Sequence, residues 1–179
     1  MAKETDRRRS YVNRVDPAVA AAHRAELDGV DRALLRELQE DARKSNRDLA
    51  AAVHVSPSTS SERVRALRAE GVIRGYHADV ALEALGREVQ ALTAVTIRPP
   101  TRENIEAFRN WVATLPELIG LFVVSGSNDF LLHLAVPDTN ALYGFVIDRL
   151  TERREVADVN TSIVYEHVRR PVLEPIESA

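Results

Sequence analysis

The chain has 179 residues, of which 45% are apolar and 28% charged, and a net charge of −3, the make-up of an ordinary globular protein of one large domain or two small ones. It contains no cysteine, which excludes disulfides, zinc–thiolate sites and a thiol nucleophile. No apolar run approaches the roughly 20 residues needed to cross a bilayer, and no apolar segment follows the N-terminal arginines as a secretory signal requires, so a cytoplasmic location without membrane association is expected.

Residues 1–26 read as a flexible N-terminal extension, with the cluster Arg7-Arg8-Arg9 available for nonspecific phosphate contacts. Leu27 opens the folded region. Asp28 is placed to cap a helix with Asp31 in its first turn, and Val30, Leu34, Leu35 and Leu38 form its buried stripe. Ser45 starts a second helix, with Asp48 closing a capping box and Leu49 and Val53 on one face. His54-Val55 is a turn. Ser56 then caps a third helix with Pro57 in its first position. Val64 and Leu67 supply that helix's buried side, Ser58, Thr59, Glu62 and Arg63 are expected to face away from it, and Arg65 and Arg68 flank them. Gly71 ends the helix.

Two helices joined by a tight turn, the second presenting short hydroxyls and arginines from its start, suit the major groove of double-stranded DNA. Residues 72–80 read as an extended wing bent at Gly75, which bounds a DNA-binding domain at 27–80. Charge supports the division. From Ala42 to Tyr76 seven basic residues face three acidic ones, whereas from His77 onward nine basic residues face fifteen acidic ones.

After a connector at 81–90 the period changes. Ala91–Ile97 is apolar and β-prone, stopped by Pro99-Pro100. Thr101–Thr114 is helical, with Ile105, Phe108 and Val112 on one face beside Trp111. Two strands, Leu118–Ser125 and Asp129–Val136, flank a turn at Gly126-Ser127-Asn128. Asn140–Leu150 is helical, with Leu142, Phe145, Val146 and Leu150 inward, and Val156–Val168 is a last strand. The order β-α-β-β-α-β predicts a ferredoxin-like domain at 91–170 with a C-terminal tail at 171–179. The class is therefore α+β: a winged helix-turn-helix followed by a ferredoxin-like domain.

Leu27-Asp28-Gly29-Val30-Asp31, Ser56-Pro57-Ser58 and Glu62-Arg63-Val64-Arg65-Ala66-Leu67 occur in that order. They are followed by Gly71-Val72-Ile73-Arg74-Gly75-Tyr76 and by Val124–Leu132 with its Gly-x-x-Asp-aromatic turn. In this arrangement the chain resembles the Lrp/AsnC, or feast/famine, transcriptional regulators. The resemblance implies homodimers that join into higher even oligomers such as octamers, and a small effector, usually an amino acid, bound near the Gly-x-x-Asp turn. Carried over, that site involves Gly126 and Asp129 with the facing strand around Thr161 and Ser162. An alternative role for Asp129 is to satisfy backbone amides of the turn. His54 stands where the family commonly has glycine, so a left-handed or bridging conformation is expected there.

On the DNA side, Ser56, Ser58 and Thr59 are expected to meet phosphate or base edges beside Glu62, and Arg63 is the candidate for bidentate readout of a guanine. Lys44, Arg47, Arg65, Arg68 and Arg74 are expected to position phosphates. The bland reading of Arg65 and Arg68 is pairing with Glu62 or Glu70. Two other functions compete with a ligand-responsive regulator. A nucleoid-type architectural protein would bind DNA broadly. A tetrapyrrole-decarboxylase-like enzyme shares the architecture, but His133, Tyr143, Tyr165 and His167 form no recognisable catalytic constellation. No catalytic residue, metal site or cofactor is expected.

Overall fold

The computed structural model describes residues 26–176, so the expected N-terminal extension with its arginine cluster lies outside the described residues. The described residues form two compact units: 26–78 together with 168–176, and Asp79–His167.

Among the described residues the first unit holds three helices: α1 (Gly29–Glu40), α2 (Asn46–Ala52) and α3 (Pro57–Ala69). Asp28 and Asp31 form a reciprocal capping box at α1, Asp28 taking the Val30 and Asp31 amides while the Asp31 side chain receives the Asp28 amide. The second box differs from expectation. Ser45 Oγ accepts the Asp48 amide, but the Asp48 carboxylate receives the Ser45 hydroxyl at 2.7 Å. His54 has φ 56, the left-handed conformation its place in the turn demands. Leu34, Leu49, Ala50 and Leu67 are buried where the helices meet, and Val64 is half-buried. Beyond Gly71 (φ 75) the expected wing forms no strand: residues 74–80 run as irregular chain.

The second unit opens with a 3-10 turn, Glu83–Leu85, closed by left-handed Gly86. Then come β1 (Val89–Ile97), α4 (Arg102–Val112), β2 (Leu118–Val123), β3 (Phe130–Val136), α5 (Thr139–Gly144) and β4 (Val156–Val164). The sheet is antiparallel in the order β2-β3-β1-β4. Alternation sets its two faces. Ala91, Val95, Phe130, Leu132, Leu134 and Val136 point to the helices and pack with Phe108, Val112, Leu142, Phe145 and Leu150. Two element ends differ from expectation by more than two residues. The helix expected to run to Leu150 is α-helical only to Gly144 and finishes as a wider π turn, Phe145–Leu150, whose Thr151 amide reaches the Val146 carbonyl. β4 stops at Val164 rather than Val168 because its partner β1 begins at Val89, and the last pair is Gln90–Val164.

Candidate functional site

Ser56 starts α3. Its hydroxyl accepts the Thr59 amide at 3.1 Å and lies 2.8 Å from both Ser58 Oγ and Thr59 Oγ1. Asn46 Nδ2 donates to the Pro57 carbonyl at 2.7 Å, fastening the start of α2 to the start of α3. One face of α3 carries Ser60, Leu67 and, between them at helical spacing, Arg63; the other presents Ser58, Glu62, Arg65 and Ala69 to solvent.

Arg63 therefore does not face outward, which corrects the expectation from sequence. Its Nη1 donates to Asp28 Oδ2 at 2.6 Å and to Asp31 Oδ1 at 3.0 Å, so the guanidinium closes against the capping box of α1. The two carboxylates, Asp31 first, push its pKa up. The Asp31 amide and then Arg63 hold the Asp28 carboxyl below its ordinary range. The cause was visible in spacing: Arg63 stands four residues before buried Leu67 and three after buried Ser60, on their side of the helix.

The other basic residues divide. Lys44 pairs with Glu37 and lies 3.6 Å from Glu40, and Glu37 raises its pKa, so much of its charge is answered within the unit. Arg47, Arg65 and Arg74 are exposed. Arg68 lies over the Tyr76 ring at 5.9 Å. Among the described residues neither Arg65 nor Arg68 forms an ion pair with Glu62 or Glu70.

In the second unit the turn before β3 is tied to the end of β1. The Ile97 amide donates to Asp129 Oδ2 at 2.8 Å, the Asp129 amide to the Val95 carbonyl, and Thr96 Oγ1 to Asn128 Oδ1 at 3.2 Å. Arg98 Nη1 stands 3.6 Å from the same carboxylate. Gly126, at φ 136, takes a conformation side-chain-bearing residues avoid. Thr96, Ile97 and Arg98 were not named as site residues from sequence, since the approach of Thr96 and Ile97 to the turn depends on strand pairing across 32 residues.

Thr161 and Ser162 do not join this cluster within one chain. They pair with Thr93 and Leu92, and the Thr161 hydroxyl lies 3.0 Å from that of Thr93. Thr93 is four residues along β1 from Ile97, about 13 Å at strand rise. The β4 residues beside the Asp129 end are Val156 and Asp158. Within one chain the antiparallel register thus carries positions 161–162 away from the turn.

His133 and His167 meet edge to face at 5.5 Å, and His133 Nε2 contacts Gln90 Oε1 at 3.0 Å. Burial, then the neighbouring His167, lower the His133 pKa. Gly120 lies opposite, where an added Cβ would come within 3.2 Å of the His133 Cβ. Among the described residues no three His, Asp or Glu side chains are gathered to hold a metal ion.

Residues 27–68 match the model of the AsnC-type helix-turn-helix domain, and residues 90–172 that of the Lrp/AsnC ligand binding domain. The chain is 38% identical over 144 residues to the HTH-type transcriptional regulator AldR of Mycolicibacterium smegmatis, covering 80% of this chain and 84% of that protein. It is 34% identical over 145 residues to the leucine-responsive regulatory protein of Escherichia coli K12, covering 81% and 88%. A transcriptional regulator of Neisseria meningitidis solved as an L-Met complex superposes with a TM-score of 0.75 at 33% identity, over 80% of this chain and 93% of that one.

Proposed function

The chain belongs to the Lrp/AsnC family of transcriptional regulators, and from that premise we propose how its own residues divide the work. α3 enters the major groove. Ser58, Thr59 and Glu62 meet base edges or phosphates, with Arg65 beside them on the same exposed side. Arg47, Arg68 and Arg74 position phosphates, Lys44 adds charge nearby, and Ser56 acts through the cap it supplies. Arg63 works as a positioning residue. The observation that carries this reading is the solvent-facing stripe Ser58–Glu62–Arg65 on a helix whose opposite side is anchored by Leu67 and Arg63.

The second unit takes a small effector, an amino acid, at the turn holding Gly126 and Asp129. The L-Met complex of the Neisseria relative supports that class. Thr161 and Ser162 contribute through another copy, since their own chain keeps them away from the turn. The protein acts as a homodimer assembling into higher even oligomers such as an octamer, in the cytoplasm, and not as an enzyme. An effector alters DNA binding only by favouring one assembly state over another.

Binding to DNA upstream of its own gene, at fixed physiological salt with scrambled competitor and a panel of amino acids, tests this. Binding that survives competitor and shifts with one amino acid supports the reading. Binding that competitor abolishes and no amino acid alters makes the protein architectural instead.

A further inference from the structure

The chain crosses between its two compact units twice, after Ala78 and again after His167. Past the second crossing it lies on the outer face of α1. The Gln39 side chain engages the Leu173 backbone at both ends: Nε2 donates to the Leu173 carbonyl at 3.1 Å, and the Leu173 amide donates to Oε1 at 2.9 Å. One turn earlier on α1, Arg36 donates Nε at 2.7 Å to Glu174 Oε1, and its Nη2 lies 2.6 Å from that oxygen. Glu174 and Pro175 complete an open cleft with Gly29, Arg32, Ala33 and Arg36. On the other side of the crossing, His167 rests against His133 of β3.

We infer that residues 168–176 form a strap that docks on α1 of its own chain through Arg36 and Gln39 and restrains the helix-turn-helix. Its contacts are exposed, and an exposed ion pair is individually weak. Covalent attachment supplies the segment at high effective concentration, so weak contacts suffice and docking stays reversible. A restrained helix-turn-helix loses less freedom on meeting DNA, and releasing the strap therefore weakens DNA binding. This consequence rests on the DNA-binding reading above.

The cysteine-free chain permits a direct test. Arg32→Cys with Pro175→Cys places thiols on two cleft residues that are not the anchors, and a short bismaleimide then links them. The expected result is efficient linking within one chain in the native protein, little in urea, a severalfold lower yield on adding Glu174→Arg, and recovery on adding Arg36→Glu as well. Separately, in the full-length chain, Glu174→Arg should weaken DNA binding severalfold, and Arg36→Glu in the same chain should restore it. Simple electrostatics predicts the opposite sign, since the substitution makes the protein more basic. Native linking no better than in urea, a product joining two chains, or DNA binding unchanged or tightened by Glu174→Arg would overturn the strap. A wild-type chain that bound no DNA would instead sink the proposed function, and the cross-linking yield would still decide the docking.

Discussion

Arg63 Nη1 lies 2.6 Å from Asp28 Oδ2, joining the third helix of the DNA-binding unit to the residue that caps the first. Asp31, 15% exposed, takes the same nitrogen at 3.0 Å. Asp28 thus serves two helices, capping one and anchoring the other. Arg63→Ala and Asp28→Asn should each lower the melting temperature of the helical unit, and together should cost less than the sum of the two. Acid should act like Asp28→Asn. The Asp28 pKa is lowered from 3.8, so its contribution is complete above that value and is lost as pH falls below it. Additive losses in a double-mutant cycle would show the contact to be inert.

Ser60 is fully buried on α3, and among the described residues its hydroxyl has no hydrogen-bond partner. Ser60→Ala removes a desolvated polar atom and favours helix. It should stabilise the unit by up to about 1 kcal/mol. A clear fall in melting temperature would contradict this.

Asp129 offers a test of structural against ligand-binding roles. Asp129→Ala leaves the amide of fully buried Ile97 without its acceptor and should cost about 1–3 kcal/mol. Asp129→Asn keeps an acceptor oxygen and should fold nearly as well as wild type. If the carboxylate meets an amino acid's ammonium, the Asn form should nevertheless lose effector binding in calorimetry; retained binding would leave Asp129 a purely structural residue.

The ring of His133 contacts Gln90 and His167, and no carboxylate contact to it is present among the described residues. Its pKa is lowered from 6.5, so the unfolded chain takes up the proton first, and stability falls as pH drops from about 6.5 through the folded value. Denaturant unfolding between pH 7.5 and 5 should show this slope, and His133→Gln should flatten it. An equal slope in the variant would assign the effect elsewhere.

The caps at Asp28, Ser45 and Ser56, the turn at His54 and the βαββαβ order were legible because each rests on local chemistry. Helical spacing also contained the placement of Arg63, four residues from Leu67, but its charge read as an outward-facing group until the carboxylates of α1 came into view. The end of β4 was not legible, since it is fixed by where β1 begins. Nor was the separation of Thr161 from Asp129, which depends on the register of strands far apart in sequence. The Gln39–Leu173 clamp spans 134 residues and has no local signal at all.

In the function proposed above, the Ser58–Glu62–Arg65 face of α3 reads DNA while Arg63 holds that helix in place. Equilibrium affinities of wild type, Arg65→Ala and Arg63→Ala for an upstream site and a scrambled site, across a salt series, test it most directly. Arg65→Ala should either reduce the preference for the upstream site or lower the salt slope by about 1. Arg63→Ala should weaken both sites alike with the slope unchanged. Selective loss of the upstream site in Arg63→Ala, with Arg65→Ala indistinguishable from wild type, would contradict the assignment of the two faces.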